Sequence, residues 1–234
     1  MSSRDEIQAA IRDPGRPSDD LGRDASSKPA DVLEFIGIAP GMSVLDFNAA
    51  SGYYTELLAR IVGAQGHVIA HNHPGALRML PARHFARRYG DRRLPNTEQL
   101  FASHEDLSLT PASLDAVWMS TVYHDTYWFN AGVAWGPVDQ RALLSALYEA
   151  LRPGGIVGVI DHYAGAGMDP ADSAVATHRI DPMIVRRDFL AIGFEFVAES
   201  DLLRSDGDDY GRSVFDAAVC GRTDRFVMRL RRPS

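Results

Sequence analysis

The stretch Ser43–Arg60, SVLDFNAASGYYTELLAR, decides how the chain is read. SVLDF is an apolar run of strand length that ends beside an acid, NAASG is a turn of small residues, and from Tyr53 the apolar residues recur at helical spacing. In open α/β sheets ligands bind beyond the carboxyl ends of the strands, next to the first strand above all. Small residues there let the backbone approach a ligand, and the helix that follows offers unpaired N–H groups to a polar or negative group. Asn48 and Ala50 stand where such a turn favours glycine.

Outward from this stretch, strand-like and helix-like segments alternate. Before it, PADVLEFIGI has helical spacing and APGM stops it. After it come HVIAH, a helix from about Pro74 to Tyr89, EQLFAS, LDAVWMS, a helix from about Pro137 to Leu151, and IVGVIDH. Alternation predicts a parallel sheet with helices on both faces, and continuous apolar runs such as IVGVI suit strands buried on both sides. A helix over Asp181–Ile192 leads to FEFVAES, a loop RSDGDDYGRS and a last strand DRFVMRLRR, which predicts an antiparallel hairpin at the sheet edge. Residues 1–28 are polar and interrupted by Pro14, Gly15 and Pro17; they read as an N-terminal arm, partly flexible or lid-like, ahead of one domain over 29–234.

A chain of 234 residues with ordinary apolar content can bury a full core. Its net charge of −7 argues against a nucleic-acid binder, which needs a surplus of Lys and Arg on the binding face, so a small-molecule substrate is expected. No apolar run approaches the roughly 18 residues of a membrane span, and the N-terminus has no secretory pattern. The expectation is a protein of the reducing cytoplasm, with no membrane partner and with a homodimer admitted. Cys220 is the sole cysteine, which excludes an internal disulfide and a multi-thiolate zinc site. Lys28 is the sole lysine, so Schiff-base chemistry is not expected. The run Arg78, Arg83, Arg87, Arg88, Arg92 and Arg93 reads as a solvated helix face.

Asp46 and Gly52 fit the D-x-G-x-G-x-G motif of the class I S-adenosylmethionine (SAM)-dependent methyltransferases, from which Asn48 and Ala50 depart. LRPGG (151–155) resembles the turn before that class's fifth strand, and EDLSLTPASLDAVWMS the approach to its fourth. Within the class, YHDTYW, VIDHYAG, THRID, FEFVAESDLL and GRTDRFVMRLRRP resemble a bacterial group of methyltransferases without an assigned substrate. The resemblance implies a Rossmann-like α/β fold with a seven-stranded, mostly parallel sheet, and SAM as cofactor. It places Asp46, Asn48, Ala49, Ala50 and Gly52 near the methionine part of SAM, with Tyr53 and Thr55 at the helix start. Asn72, or His71, takes the ribose position, and Ser103 with His104 the adenine position after the third strand.

Methyl transfer from a sulfonium is an in-line displacement, so catalysis is mostly positioning, with a base where the acceptor carries a proton. In TVYHDTYWF, His124 is a candidate base and Asp125 its orienting partner, while Tyr123, Tyr127 and Trp128 could wall an acceptor. His162 ends VIDH, and His178 and Arg179 in THRID could meet an acceptor carboxylate. His124, Asp125, Asp161, His162 and His178 could also gather as N and O ligands of a divalent metal. No H-x-x-x-H or similar local motif occurs, so no metal ligand is assigned. A metal-assisted hydrolase or lyase and a non-catalytic binder of SAM-like ligands remain the alternatives to a methyltransferase.

Overall fold

The computed structural model describes residues 3–234. In chain order it runs α1 (Ser3–Arg12), α2 (Ser18–Ser27), α3 (Pro29–Ile36), β1 (Ser43–Phe47), α4 (Tyr53–Val62), β2 (His67–Asn72), α5 (Ala76–Met79), α6 (Ala82–Tyr89) and β3 (Thr97–Phe101). β4 (Leu114–Ser120), α7 (Gln140–Ala150), β5 (Leu151–His162), α8 (Pro170–Thr177), α9 (Pro182–Ile192), β6 (Glu195–Ser200) and β7 (Arg225–Arg231) follow. The strands form one seven-stranded sheet in the order β3-β2-β1-β4-β5-β7-β6. β1 to β5 pair in parallel, and β7 pairs antiparallel with β5 and with β6. The Rossmann-like sheet and the antiparallel edge expected from FEFVAES and DRFVMRLRR are both present; β7 threads between β5 and β6.

β1 and β4 are apolar on both faces because both faces are covered. On one side Val44, Trp118 and Ile160 pack under Ile7 of α1, Val32 of α3 and Leu57 of α4. On the other, Leu45, Val117 and Val159 pack under Leu143 and Leu147 of α7 and Val185 and Phe189 of α9. Each such fully buried side chain contributes roughly 1.5–3 kcal/mol of transfer free energy. Gly158 in β5 lets α3 approach the sheet, since a Cβ there would lie 2.8 Å from Ile36 Cγ2.

Residues 3–27 are helical on either side of the Pro14–Pro17 breaker, where the sequence read only an interrupted arm. Ile7 and Ala10 enter the core, and Asp20, nearly fully buried, pairs with buried Arg88 at 2.7 Å. Arg88 also donates to Glu56 Oε2 at 2.8 Å and, through Nε, to the Ser51 carbonyl at 3.0 Å, so this arginine belongs to no solvated face. The expected helix over 74–89 is broken into α5 and α6 at Leu80–Pro81, where proline removes a backbone donor. LRPGG is a bulge inside β5: Leu114 pairs with Leu151 and the next pair is Ala116 with Ile156, Gly154 taking φ 81°. α8 carries no apolar periodicity strong enough to have been expected, but Asp169 caps its start by accepting from Ala171 N and Asp172 N. No helix among the described residues is long and apolar enough to cross a membrane.

Candidate functional site

The carboxyl ends of β1, β2 and β4 open onto one edge of the sheet, and the loop after β1 sets its shape. Asn48, Ala50 and Gly52 take φ of 50°, 51° and 80°, so all three alternate positions of the turn lie in the left-handed region. The chain keeps a glycine backbone path with two residues that are not glycine. Asn is the non-glycine residue most tolerant of that region, whereas Ala carries a cost of roughly 1–2 kcal/mol there. At Gly52 a Cβ would lie 2.8 Å from Tyr89 Oη and 3.1 Å from Arg88 Cγ, so both side chains would have to shift to admit one.

Asn48 is held by what its side chain gains. Its Nδ2 donates to His104 Nε2 at 3.1 Å, its Oδ1 accepts from His73 N at 3.3 Å, and its own N–H donates to His71 Nδ1 at 3.3 Å. Because His71 Nδ1 accepts, Nε2 carries the proton and donates to the Ala102 carbonyl at 3.1 Å. His71 therefore faces away from the loop's ligand side. His73 stacks on Trp135 with centroids 4.4 Å apart, and His104 lies 5.0 Å from His73. Burial holds these imidazoles neutral, with His71 pushed down to about 4 and His104 to about 3.

Asn72 clamps the same loop: its Oδ1 accepts from Ala50 N at 2.8 Å, and its Nδ2 reaches the Ala50 carbonyl at 3.4 Å. Asp46 Oδ2 accepts from Thr55 Oγ1 at 2.6 Å. Burial pushes the Asp46 carboxyl up to about 7, against the Thr55 hydrogen bond and the Arg88 charge. These groups border a cavity of about 340 Å³ lined by Asp46, Asn48–Ser51, Tyr53, Tyr54, Asn72, Ala76, Met79, Leu80, Trp135 and Arg23. Its size falls in the ordinary range for a small-molecule site, about 300–1,000 Å³. Arg23 of α2 lies over the Tyr53 ring at 4.2 Å, and Tyr53 Oη donates to Asp24 Oδ1 at 2.7 Å, so α2 forms part of one wall.

A second chamber of about 310 Å³ adjoins the first and shares Met79, Thr121, Asp125, Trp135 and Phe215 with it. His124, Trp128, His162, His178 and Val214 complete its lining. Thr121 turns the chain out of β4 at φ 55°, a strained angle for a β-branched residue, and its N–H donates to the Ile160 carbonyl at 2.7 Å. Such strain collects at functional sites.

His124, only 4% exposed, sits between two carboxylates. Its Nδ1 is 2.7 Å from Asp161 Oδ1 and its Nε2 3.2 Å from Asp125 Oδ1. Burial works against its charge, but Asp161 and then Asp125 outweigh it and raise the imidazole to about 10. The Asp125 carboxyl, despite its burial, is held well below the usual range by His124 and His178. A cationic imidazole takes no further proton, which is at odds with the base role expected of His124. The residue that orients its Nδ1 is Asp161 rather than Asp125; Asp161 also accepts from His124 N at 2.9 Å and His162 N at 2.8 Å. Burial first, and the neighbouring cations His124 and Arg225 next, push His162 well below its ordinary value, and its Nδ1 meets Thr223 Oγ1 at 2.9 Å. A neutral imidazole in this chamber is thus His162.

Other expected site residues lie elsewhere. Ser103 Oγ donates to Asp106 Oδ2 at 2.8 Å and borders neither cavity, and His104 is spent on Asn48. Trp135, from the segment between β4 and α7, closes the side where the sequence placed those two. Tyr123 and Tyr127 turn to α9, both donating to Asp188 Oδ2, at 2.9 and 2.5 Å. Arg179 is fully buried and binds Asp208 with two hydrogen bonds of 2.6 and 2.8 Å, which ties down the 204–224 loop instead of facing an acceptor. Trp128 and His178 do line the chamber. Sequence reasoning missed Arg23, Thr121, Trp135 and Phe215, of which only Trp135, a tryptophan in a Gly-rich loop, carried a signal.

The family model of the protein-L-isoaspartate(D-aspartate) O-methyltransferases (PCMT) matches residues 23–91, which span α2 to α6 and the loop after β1. No protein of curated function matches the sequence. Among solved structures, a SAM-dependent methyltransferase from Aquifex aeolicus superposes with a TM-score of 0.63 at 17% identity, covering 99% of this chain and 100% of that one. An arsenic(III) S-adenosylmethionine methyltransferase from Chlamydomonas reinhardtii gives 0.60 at 20% identity over 98% of this chain and 73% of its own. A SAM-dependent methyltransferase from Mesorhizobium loti gives 0.60 at 16% identity over 90% and 100%. With β7 between β5 and β6 and a left-handed turn after β1, this chain has the fold of the class I SAM-dependent methyltransferases.

Proposed function

We propose that this protein is a SAM-dependent methyltransferase of the bacterial cytoplasm, one of the substrate-unassigned group its motifs resemble, acting on a small-molecule acceptor. The observation that carries the reading is the pair of joined cavities: one against the left-handed turn, the other against His124 and His162. The turn's backbone and Asn72 fit a polar ligand at the first cavity, and Ala76, Met79, Leu80 and Trp135 give it an apolar wall for a base. Arg23 would hold a carboxylate there and Asp46 an ammonium, whose charge would relieve the cost of ionising a buried carboxyl. SAM when bound supplies a methyl group already activated on a sulfonium.

In the second chamber Trp128, Trp135, Met79 and Phe215 form apolar walls and rim. Cationic His124, its two N–H groups engaged by Asp161 and Asp125, sets a positive charge beside an acceptor's oxygen, and neutral His162 takes a proton from it. Asp161 fixes the orientation of the His124 ring, and Thr223 Oγ1 holds the His162 ring at Nδ1.

Calorimetric titration of the purified protein with SAM and S-adenosylhomocysteine tests this. Binding tighter than about millimolar, a free energy beyond roughly −4 kcal/mol, is expected. Arg23→Ala should weaken it, and affinity should fall about tenfold for each pH unit below about 7, where Asp46 protonates. Absence of binding heat and of any thermal shift removes the reading.

A further inference from the structure

We propose that His124, Asp125 and His178 form a binding site for a divalent transition-metal ion on the wall of the second chamber. One ligand atom from each lies within 4.8 Å of the other two. Asp125 Oδ1 is 3.2 Å from His124 Nε2 and 3.7 Å from His178 Nδ1. Metal–ligand bonds of about 2.0–2.2 Å set ligand atoms about 3.0–3.6 Å apart around a tetrahedral or octahedral ion, so these three need shifts on the order of 1 Å to take one up. Two imidazoles and one carboxylate suit Zn, Fe, Co or Mn, the ion displacing to solvent the His124 Nε2 proton that otherwise faces Asp125, and leave further positions open to the chamber.

Two features outside the triplet point the same way. Asp161 lies 2.7 Å from His124 Nδ1 and is itself fixed by two backbone N–H groups, His124 and His162. That is the carboxylate–imidazole arrangement which leaves Nε2 aimed at a metal. His178 occupies the C-terminal cap of α8 at φ 54°, a position that favours glycine, and spends that strain on aiming its ring at the cluster, 5.4 Å from the His124 ring. The ligands come from the loop after β4 and the cap of α8, which is why no local ligand spacing appears in the sequence.

An ion here would bind an acceptor oxygen or sulfur and favour its deprotonated form; that use rests on the methyltransferase reading, while the site itself does not. The test is titration of chelator-treated, full-length protein with zinc and cobalt(II) chlorides without SAM, by calorimetry and by cobalt absorption. One-to-one binding at about micromolar or tighter is expected. His178→Gly, which relaxes the left-handed backbone and so keeps the fold, should weaken binding by more than the ~10–100-fold expected for Asp161→Asn. His67→Ala, at the surface pair with Glu98, should leave it unchanged. Absence of stoichiometric binding, or His178→Gly binding as tightly as the parent with the same melting curve, overturns the site. SAM binding without metal binding overturns the metal site alone, and metal binding without SAM binding overturns the methyltransferase reading alone.

Discussion

Two triplets of histidines lie at the same edge of the sheet, and the second differs from the first in holding a cation, His124. His71, His73 and His104 are buried among Phe47, Trp135 and Asn48 and are held neutral. His124, His162 and His178 share their space with Asp125 and Asp161, and His124 is a cation. Burial is similar for His71 and His124, so carboxylates decide the difference. The first triplet shapes the loop that receives a ligand. The second carries the charge that can act on one.

Acid should act most on the buried neutral histidines, all three of the first triplet and His162 of the second. A histidine whose folded pKa is depressed binds fewer protons folded than unfolded, so its stability contribution is complete above about 6.5 and is lost as pH falls towards the folded value. With His71 at about 4 and His104 at about 3, the protein should lose several kcal/mol between pH 6.5 and 3, of order 1.4 kcal/mol for each pH unit that separates a folded pKa from its ordinary value. The groups facing them are His73, itself depressed by burial, with Glu105 and Asp125 as the nearest carboxylates. His104→Gln keeps a hydrogen-bond partner for Asn48 and cannot titrate, so its urea-derived stability should fall less steeply than the parent's. Parallel profiles would show that the neutral triplet does not set the acid limb.

Removing one imidazole from each triplet sharpens the contrast at neutral pH. His124→Leu in metal-free protein leaves the buried Asp161 carboxylate without its cation and should cost about 3–5 kcal/mol. His104→Leu leaves the Asn48 amide nitrogen without its acceptor and should cost about 1–3 kcal/mol. Equal costs in chemical denaturation would mean that charge pairing is not what distinguishes the clusters.

The sheet was legible because strands buried on both faces give apolar runs that nothing else in a short segment explains, and because each turn between them carries its own breakers. SVLDF, HVIAH, LDAVWMS and IVGVIDH are strands where the sequence read them. The N-terminal helices were not legible as packed elements, since Ile7 and Ala10 are too few to mark a face and the rest is held by ion pairs such as Asp20–Arg88. The site was legible by region and not by direction. YHDTYW does reach the chamber, but Tyr123 and Tyr127 alternate away from it to Asp188, and Arg179 points at Asp208. No spacing rule tells which side of a short turn a side chain takes.

Backbone angle explains the two missing glycines, and the pair Asn48 and Ala50 tests that explanation with opposite signs. Both residues sit near φ 50°, two positions apart in one loop. Asn48→Gly relieves little, because Asn tolerates the left-handed region, and removes the hydrogen bonds to His104 and His73. It should cost about 1–3 kcal/mol. Ala50 contributes a methyl group to the cavity wall and makes its hydrogen bonds to Asn72 through the backbone, which glycine retains. Ala50→Gly removes a left-handed penalty of roughly 1–2 kcal/mol and loses about 0.5–1 kcal/mol of chain entropy, so it should stabilise the protein by up to about 1.5 kcal/mol. Thermal melts of the two variants should move in opposite directions from the parent. A downward shift for Ala50→Gly would mean that its methyl packing outweighs the strain, and that the loop is shaped by its side chains more than by its backbone.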